Sequence, residues 1–201
     1  MGVALGSLVL SLAVASRNEI RAGRAERRAD RAEKRSEQAE ATAEKLRMSQ
    51  LWGDLIAQIQ PFASIVLPAP DLGDRLLALR SATVELIDNT RSTEWPLLDD
   101  WLAAEHALGT LHGRLTLDSI DKTRPRTSDD VLNTHEALHT WATAYLLNVR
   151  RFRRIGPGSE ASAALPKLLE NTRAQTVRIC DQQAWPLPGL LTGIKALDDA
   201  H

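Results

Sequence analysis

A single cysteine, Cys180, occurs in a chain of 201 residues. A lone thiol cannot close an intramolecular disulfide, so nothing in the chain asks for an oxidising compartment. Aromatic residues are scarce at 4%, and most of them are tryptophans. Trp52, Trp95, Trp101, Trp141 and Trp185 fall at helix starts or on apolar stripes, where they read as core fillers and helix-end anchors, not as a base-stacking platform. Neither sign of charge is in excess: 25 Lys and Arg face 26 Asp and Glu. This excludes nucleic-acid recognition by bulk electrostatics and confines any such role to a local patch. The one basic cluster, Arg150-Arg151-Phe152-Arg153-Arg154, ends a helix, where cations complement the dipole. No nucleic-acid partner is therefore expected. No segment alternates apolar and polar residues between turn signals, so no sheet is expected. A Gly-rich phosphate loop, a nucleophile elbow, a Cys/His zinc ribbon and a solenoid-length repeat are all missing.

What is present is 43% hydrophobic and 25% charged residues, a globular balance. Beyond the first 48 residues, about 150 remain, enough for one domain with a real core. Met1–Ser16 carries no charged side chain. As a helix it would be roughly 24 Å long, short for a membrane span but sufficient for a thin bilayer. Three readings compete. Ala13-Val14-Ala15 has the form of a signal-peptidase site. Alternatively, the segment packs on a partner in a soluble protein. The third reading is an anchor with its N-terminus outside, and it fits the charges best. Arg17, Arg21, Arg24, Arg27, Arg28 and Arg31 follow the apolar stretch, and Lys/Arg beside a span stays cytoplasmic. The expectation is a single-pass protein of the cell membrane with a cytoplasmic helical domain and those arginines near anionic headgroups.

Residues 17–48 read as one helix without proline. Ala22, Ala25, Ala29, Ala32, Ser36, Ala39, Ala43 and Leu46 recur at alternating spacings of three and four, the a/d pattern of a coiled coil. Glu and Arg/Lys fill the other positions, many as i,i+3 or i,i+4 pairs. A stalk that self-associates as a homo-oligomer is expected. With this apolar start, arginine junction and Ala/Glu/Arg helix, the first 48 residues resemble uncharacterised single-span membrane-anchored helical proteins of actinobacterial type. That resemblance is one of composition; it implies a tethered helical domain and no particular activity.

Residues 49–201 predict an all-α, up-down helical bundle. A stripe of Met48, Trp52, Leu55, Ile59, Phe62 and Val66 opens it, with Pro61 interrupting and Pro68-Ala69-Pro70 ending the helix. The next helix, from Asp71 as N-cap to Asn89, buries Leu72, Leu76, Leu79, Thr83 and Leu86. A third starts after Ser92 or Thr93, carries Pro96 in its first turn and reaches about Leu117. Its apolar face is Leu97, Trp101, Leu108 and Leu115, with Glu105 and His112 inside and His106 outside. A fourth, capped by Ser128, runs to about Arg154 and stops at Gly156-Pro157-Gly158. A fifth covers Leu165 to Gln183, and a short helix from Gly189 to Asp199 closes the chain.

The chemistry-bearing motif is His135-Glu136-Ala137-Leu138-His139 in the fourth helix. Its H-E-x-x-H spacing sets two imidazoles one turn apart, able to share a zinc ion, with the Glu placed to deprotonate a bound water. These five residues and their uncharged flanks resemble a zincin metalloprotease helix. That resemblance implies His135 and His139 as ligands and Glu136 as general base. No third His follows within eleven residues, and zincins present substrate along a sheet edge that is not expected here. VLNTHEALH also resembles the H-x-x-x-H helix of DinB/YfiT-like bundles, which take three His, although Thr140-Trp141-Ala142 replaces their usual Arg-Gly-Gln. Antiparallel pairing of the third and fourth helices would bring His112 level with His135, so His112, His135 and His139 form a candidate metal set, with Glu105 nearby. The plainer alternative is that His112 and His135 sit at the core edge while Glu136 and His139 are solvated. Two functions thus stay open: a tethered scaffold or binding protein without cofactor, and a zinc-dependent enzyme.

Overall fold

A computed structural model describes the backbone of residues 2–64, 71–90, 93–120 and 127–189, with side chains from residue 30 onward. The elements are α1 (Gly2–Ile59), α2 (Leu72–Asn89), α3 (Leu98–Ile120), α4 (Ser128–Ile155) and α5 (Ser159–Gln183), with a 3-10 turn at Phe62–Ser64. No strand occurs among the described residues, so the protein is all-α, as its periodicity implied. It divides into two compact units, Met1–Arg47 and Met48–His201.

In the first unit, every side chain from residue 30 to 47 is exposed, Ala32, Ala39, Ala43 and Leu46 included. These residues are helical without burial. Alanine, glutamate, lysine and arginine lose little entropy in a helix, and neighbours one turn apart add ties such as Ser36 Oγ to Glu40 Oε1 at 3.3 Å. The side chains of residues 1–16, expected to form an anchor, and of Arg17, Arg21, Arg24, Arg27 and Arg28 lie outside the described residues. Arg31 is exposed. Among the described residues, no helix is long and apolar enough to cross a membrane.

The second unit is a helical bundle centred on α3, which packs against α2, α4 and α5. Its buried positions explain why: Leu98, Trp101, Leu102, Ala104, Leu108 and Leu111 give it an apolar surface wide enough for several neighbours. Small residues let those neighbours approach closely. A Cβ at Gly109 would collide with the Trp141 ring on α4, and one at Gly113 would collide with Leu76 on α2. Contacts between α3 and α4 run in opposite directions, from Glu105–Trp141 to Thr116–Thr134, so the two helices are antiparallel. Contacts of α3 with α5 advance together, from Glu105–Thr172 to Arg114–Trp185, as an up-down order requires. An aromatic cluster of Trp101, Tyr145 and Phe152 stacks edge to face at 5.1–5.6 Å between centroids, and Trp95 joins it through Phe152.

Several boundaries differ from the sequence expectation, each for a local reason. Pro61 does end α1, and the chain tightens into the 3-10 turn that buries Phe62. Asp71 does stand at the N-cap position of α2, but its side chain makes no capping hydrogen bond; its carboxylate accepts from Arg75 Nε at 2.7 Å instead. α3 begins at Leu98 and not just after Thr93, because Pro96 disfavours helical backbone at Trp95 and Leu97 has a positive φ of 66°. Trp95 is instead buried beside Trp52, 5.6 Å away. Leu97, expected on the apolar face, has φ +66° and is exposed. Thr127 and not Ser128 caps α4, through a capping box with Asp130: Thr127 Oγ1 accepts from Asp130 N at 3.2 Å, and Asp130 Oδ2 accepts from Thr127 N at 3.1 Å. Gly156, at φ +71°, ends α4. α5 starts at Ser159, ahead of the expected Leu165, and runs through Pro166, since Ala161 and Leu165 are both buried and hold its first turns to the core. Val66 and the closing helix expected from Gly189 fall outside the described residues, apart from Gly189 itself.

Candidate functional site

The site follows from a packing mismatch. Both α4 and α5 lie on α3, but they touch each other only sparsely. Between them opens a cleft of about 550 Å³, with Glu105 and Leu108 of α3 in its floor, Glu136 and Trp141 on the α4 wall, and Asn171 and Thr172 on the α5 wall. Volumes of several hundred Å³ are typical of small-molecule sites.

Glu105 is the unusual residue. It is only 6% exposed, on a face otherwise built from Leu, Ala and Trp. Burying a carboxylate is costly unless donors surround it. Three helices supply them. Trp101 Nε1 donates to Oε1 at 3.0 Å, Thr172 Oγ1 to the same oxygen at 2.8 Å, and Trp141 Nε1 to Oε2 at 2.9 Å. All three donors are neutral, so they offset the burial only in part. Burial raises the Glu105 pKa above the usual carboxylate value, against the lowering effect of Thr172, Trp141 and Trp101. The Thr172 hydroxyl also stands 2.9 Å from Leu168 O. It has one proton for two acceptors. With Glu105 ionised it donates to the carboxylate; with Glu105 protonated it can accept from it and donate to Leu168 O.

Around this carboxylate the other titratable groups are muted. The Tyr145 hydroxyl is fully buried, and its pKa is raised by burial and by the Glu105 charge. Thr83 is its polar neighbour, but the Thr83 hydroxyl donates to Leu79 O at 2.8 Å, and Tyr145 Oη makes no hydrogen bond of good geometry. His112 lines the cleft with its Nδ1 buried and unpaired. Burial lowers its pKa to about 4, so it is neutral at pH 7. His106, expected outside the apolar face, is half-buried, and its pKa is lowered by burial and then by Arg80.

The sequence-derived candidates are placed as follows. His135 is half-buried; Glu136 and His139 are exposed. Glu136 and His112 line the cleft, and His135 and His139 do not. The His112 ring stands against Trp141, with ring centroids 6.5 Å apart. The Glu105–Trp141 and Thr116–Thr134 contacts bracket the antiparallel pairing, so His112 falls at about the height of Glu136, within a turn of His135. Among the described residues, no group of three or more His, Cys, Asp or Glu is arranged to hold a metal ion. Cys180 is buried, with its thiol 3.7 Å from Pro186 O, and burial and Asp181 raise its pKa.

The fold and site together define an all-α bundle with a carboxylate-floored cleft between two of its helices. Comparison with protein-family models, curated proteins and solved structures finds no match for this chain.

Proposed function

We propose that the protein is a membrane-tethered, self-associating helical binding protein. The observation that carries this reading is the helical stretch 30–47, in which every side chain is exposed. Ala32, Ser36, Ala39, Ala43 and Leu46 continue the three-four spacing along it, and all five side chains of that seam are exposed. A second copy presenting the same seam would cover it, and small a/d residues permit close helix approach. The apolar stretch 1–16 serves as the tether, and the arginines after it meet anionic headgroups. The bundle supplies recognition through its cleft.

Sedimentation equilibrium of the full chain in detergent micelles tests the association. The wild type is expected to sediment as an oligomer, and the Ala32→Glu/Ala39→Glu variant as a monomer. Identical masses for both would remove self-association from the account. Fractionation tests the tether: the full chain should stay with membranes through a high-salt wash and be released by detergent. Release by salt alone would show a peripheral protein.

A further inference from the structure

We propose that the cleft between α4 and α5 binds a small organic cation, an alkyl- or arylammonium, whose charged nitrogen is taken by Glu105 Oε2 and whose apolar body lies against Trp141, Leu108 and Leu168. This deepens the reading of the bundle as a recognition module and does not depend on self-association. Three observations support it. First, the charge of the lining is one-sided. Glu105 and Glu136 both line the cleft, no Lys or Arg does, and His112 is neutral at pH 7. Arg178 lines an adjoining hollow of about 370 Å³ that shares His112, and not the cleft itself, so among the described residues the Glu105 end is the acidic one.

Second, the acceptor inventory of Glu105 is incomplete. A carboxylate offers about four lone-pair positions. Oε1 receives two donors, whereas Oε2 receives Trp141 alone. Protein donors therefore leave one acceptor position on Oε2, and the residue carrying it lines a cleft. An ammonium N–H fits that position and brings the positive charge that the three neutral donors lack. The Thr172 hydroxyl, shared between Glu105 Oε1 and Leu168 O, can settle on the carboxylate when the cation arrives.

Third, the surroundings favour an organic cation over a metal ion. Glu105 already accepts three hydrogen bonds from neutral donors, and no group of three ligating side chains gathers among the described residues. The walls instead combine apolar surface with side-chain amides. Trp141, Leu108 and Leu168 can cover a hydrocarbon or ring, and the Asn171 and Gln175 carbonyls can take remaining N–H groups.

The test is a titration of the full chain with phenethylammonium chloride, followed by calorimetry, beside the neutral 2-phenylethanol and the anionic phenylacetate. The ammonium is expected to bind saturably and at least about tenfold more tightly than the alcohol, as a charge-assisted hydrogen bond implies, with phenylacetate not binding. Glu105→Gln is expected to remove that tenfold preference. Should this variant fail to fold, Ala144→Trp decides: Ala144 is an exposed residue of the α4 wall, and a bulky ring there should abolish binding while the thermal midpoint holds. The proposal is overturned if alcohol or phenylacetate binds as tightly as the ammonium. It is also overturned if the ammonium shows no saturation up to about 10 mM, well beyond the millimolar range of weak specific sites, or if Ala144→Trp leaves binding unchanged. Sedimentation reports separately on the stalk, so either part can fail without the other.

Discussion

Residues 30–47 of α1 and the whole of α3 are both regular helices, yet they are helical for different reasons. The first has no buried side chain. The second buries twelve of its 23 residues. In the first, conformation comes from local terms: alanine and straight-chain charged residues, each worth a few tenths of a kcal/mol, and ties one turn apart. In α3, conformation comes from tertiary burial, which tolerates Gly109 and Gly113, both poor helix formers, because each makes room for a neighbour. A locally encoded helix leaves its surface free for a partner. A tertiary helix commits its surface to the fold and can hold an awkward group such as Glu105 in place.

That contrast can be broken or sharpened by substitution. The largest effect belongs to Trp101→Ala. Trp101 is completely buried, packs on Tyr145 and Phe152, and donates to Glu105. Removing it should destabilise the bundle by about 3–5 kcal/mol, read from denaturant unfolding. A loss below about 1 kcal/mol would place the core elsewhere. Thr127→Ala should destabilise by about 1 kcal/mol by deleting the α4 capping box. The smallest effect is expected in the stalk. Glu37→Gly should weaken local helicity by about 1 kcal/mol but leave the unfolding midpoint of the bundle unchanged. A clear shift of that midpoint would mean the two helices are not governed separately.

The bundle should also respond to pH in a way the stalk does not. His112 has a folded pKa of about 4, below the ordinary 6.5, so the unfolded chain binds more protons between these values. Its contribution to stability is fully present above pH 6.5 and is lost as pH falls towards 4. Glu105 acts in the opposite sense. Its pKa is raised from 4.5, so its contribution is present at low pH and is lost as pH rises above 4.5. The two oppose each other as pH rises above 4.5. His112→Gln should therefore make the acid limb of the stability profile shallower. An unchanged profile would show that His112 is charged in the folded state or insignificant to folding.

Much of the fold was legible in the sequence, and the site much less so. Leu72, Leu79, Thr83 and Leu86 are buried as the spacing along α2 required, and Trp101 and Leu108 are buried on the face expected of α3. Helical periodicity records one face at a time, which is enough for these. It does not record which side chains pack across the register between helices, so the contact of the His112 ring with Trp141 was not legible. Nor does it record local competition: Asp71 prefers Arg75 to a cap, and Pro96 delays α3. The sequence did place Glu105 on an apolar face, and that was the available signal. A carboxylate there must find donors, but only the folded bundle brings Trp101, Trp141 and Thr172 to it from three helices. The H-E-x-x-H spacing drew attention to His135 and His139, which lie outside the cleft, while Glu136 and His112 line it.

The central claim is that the stalk is a locally encoded helix stabilised further by a second copy, while the bundle gains its order from its own core. Hydrogen exchange of the full chain in detergent micelles, measured across a range of protein concentration, addresses both halves at once. Amides of residues 30–47 should exchange freely when dilute and become protected as concentration rises, while those of α3 stay equally protected throughout. Protection of residues 30–47 that does not change with concentration would contradict the account.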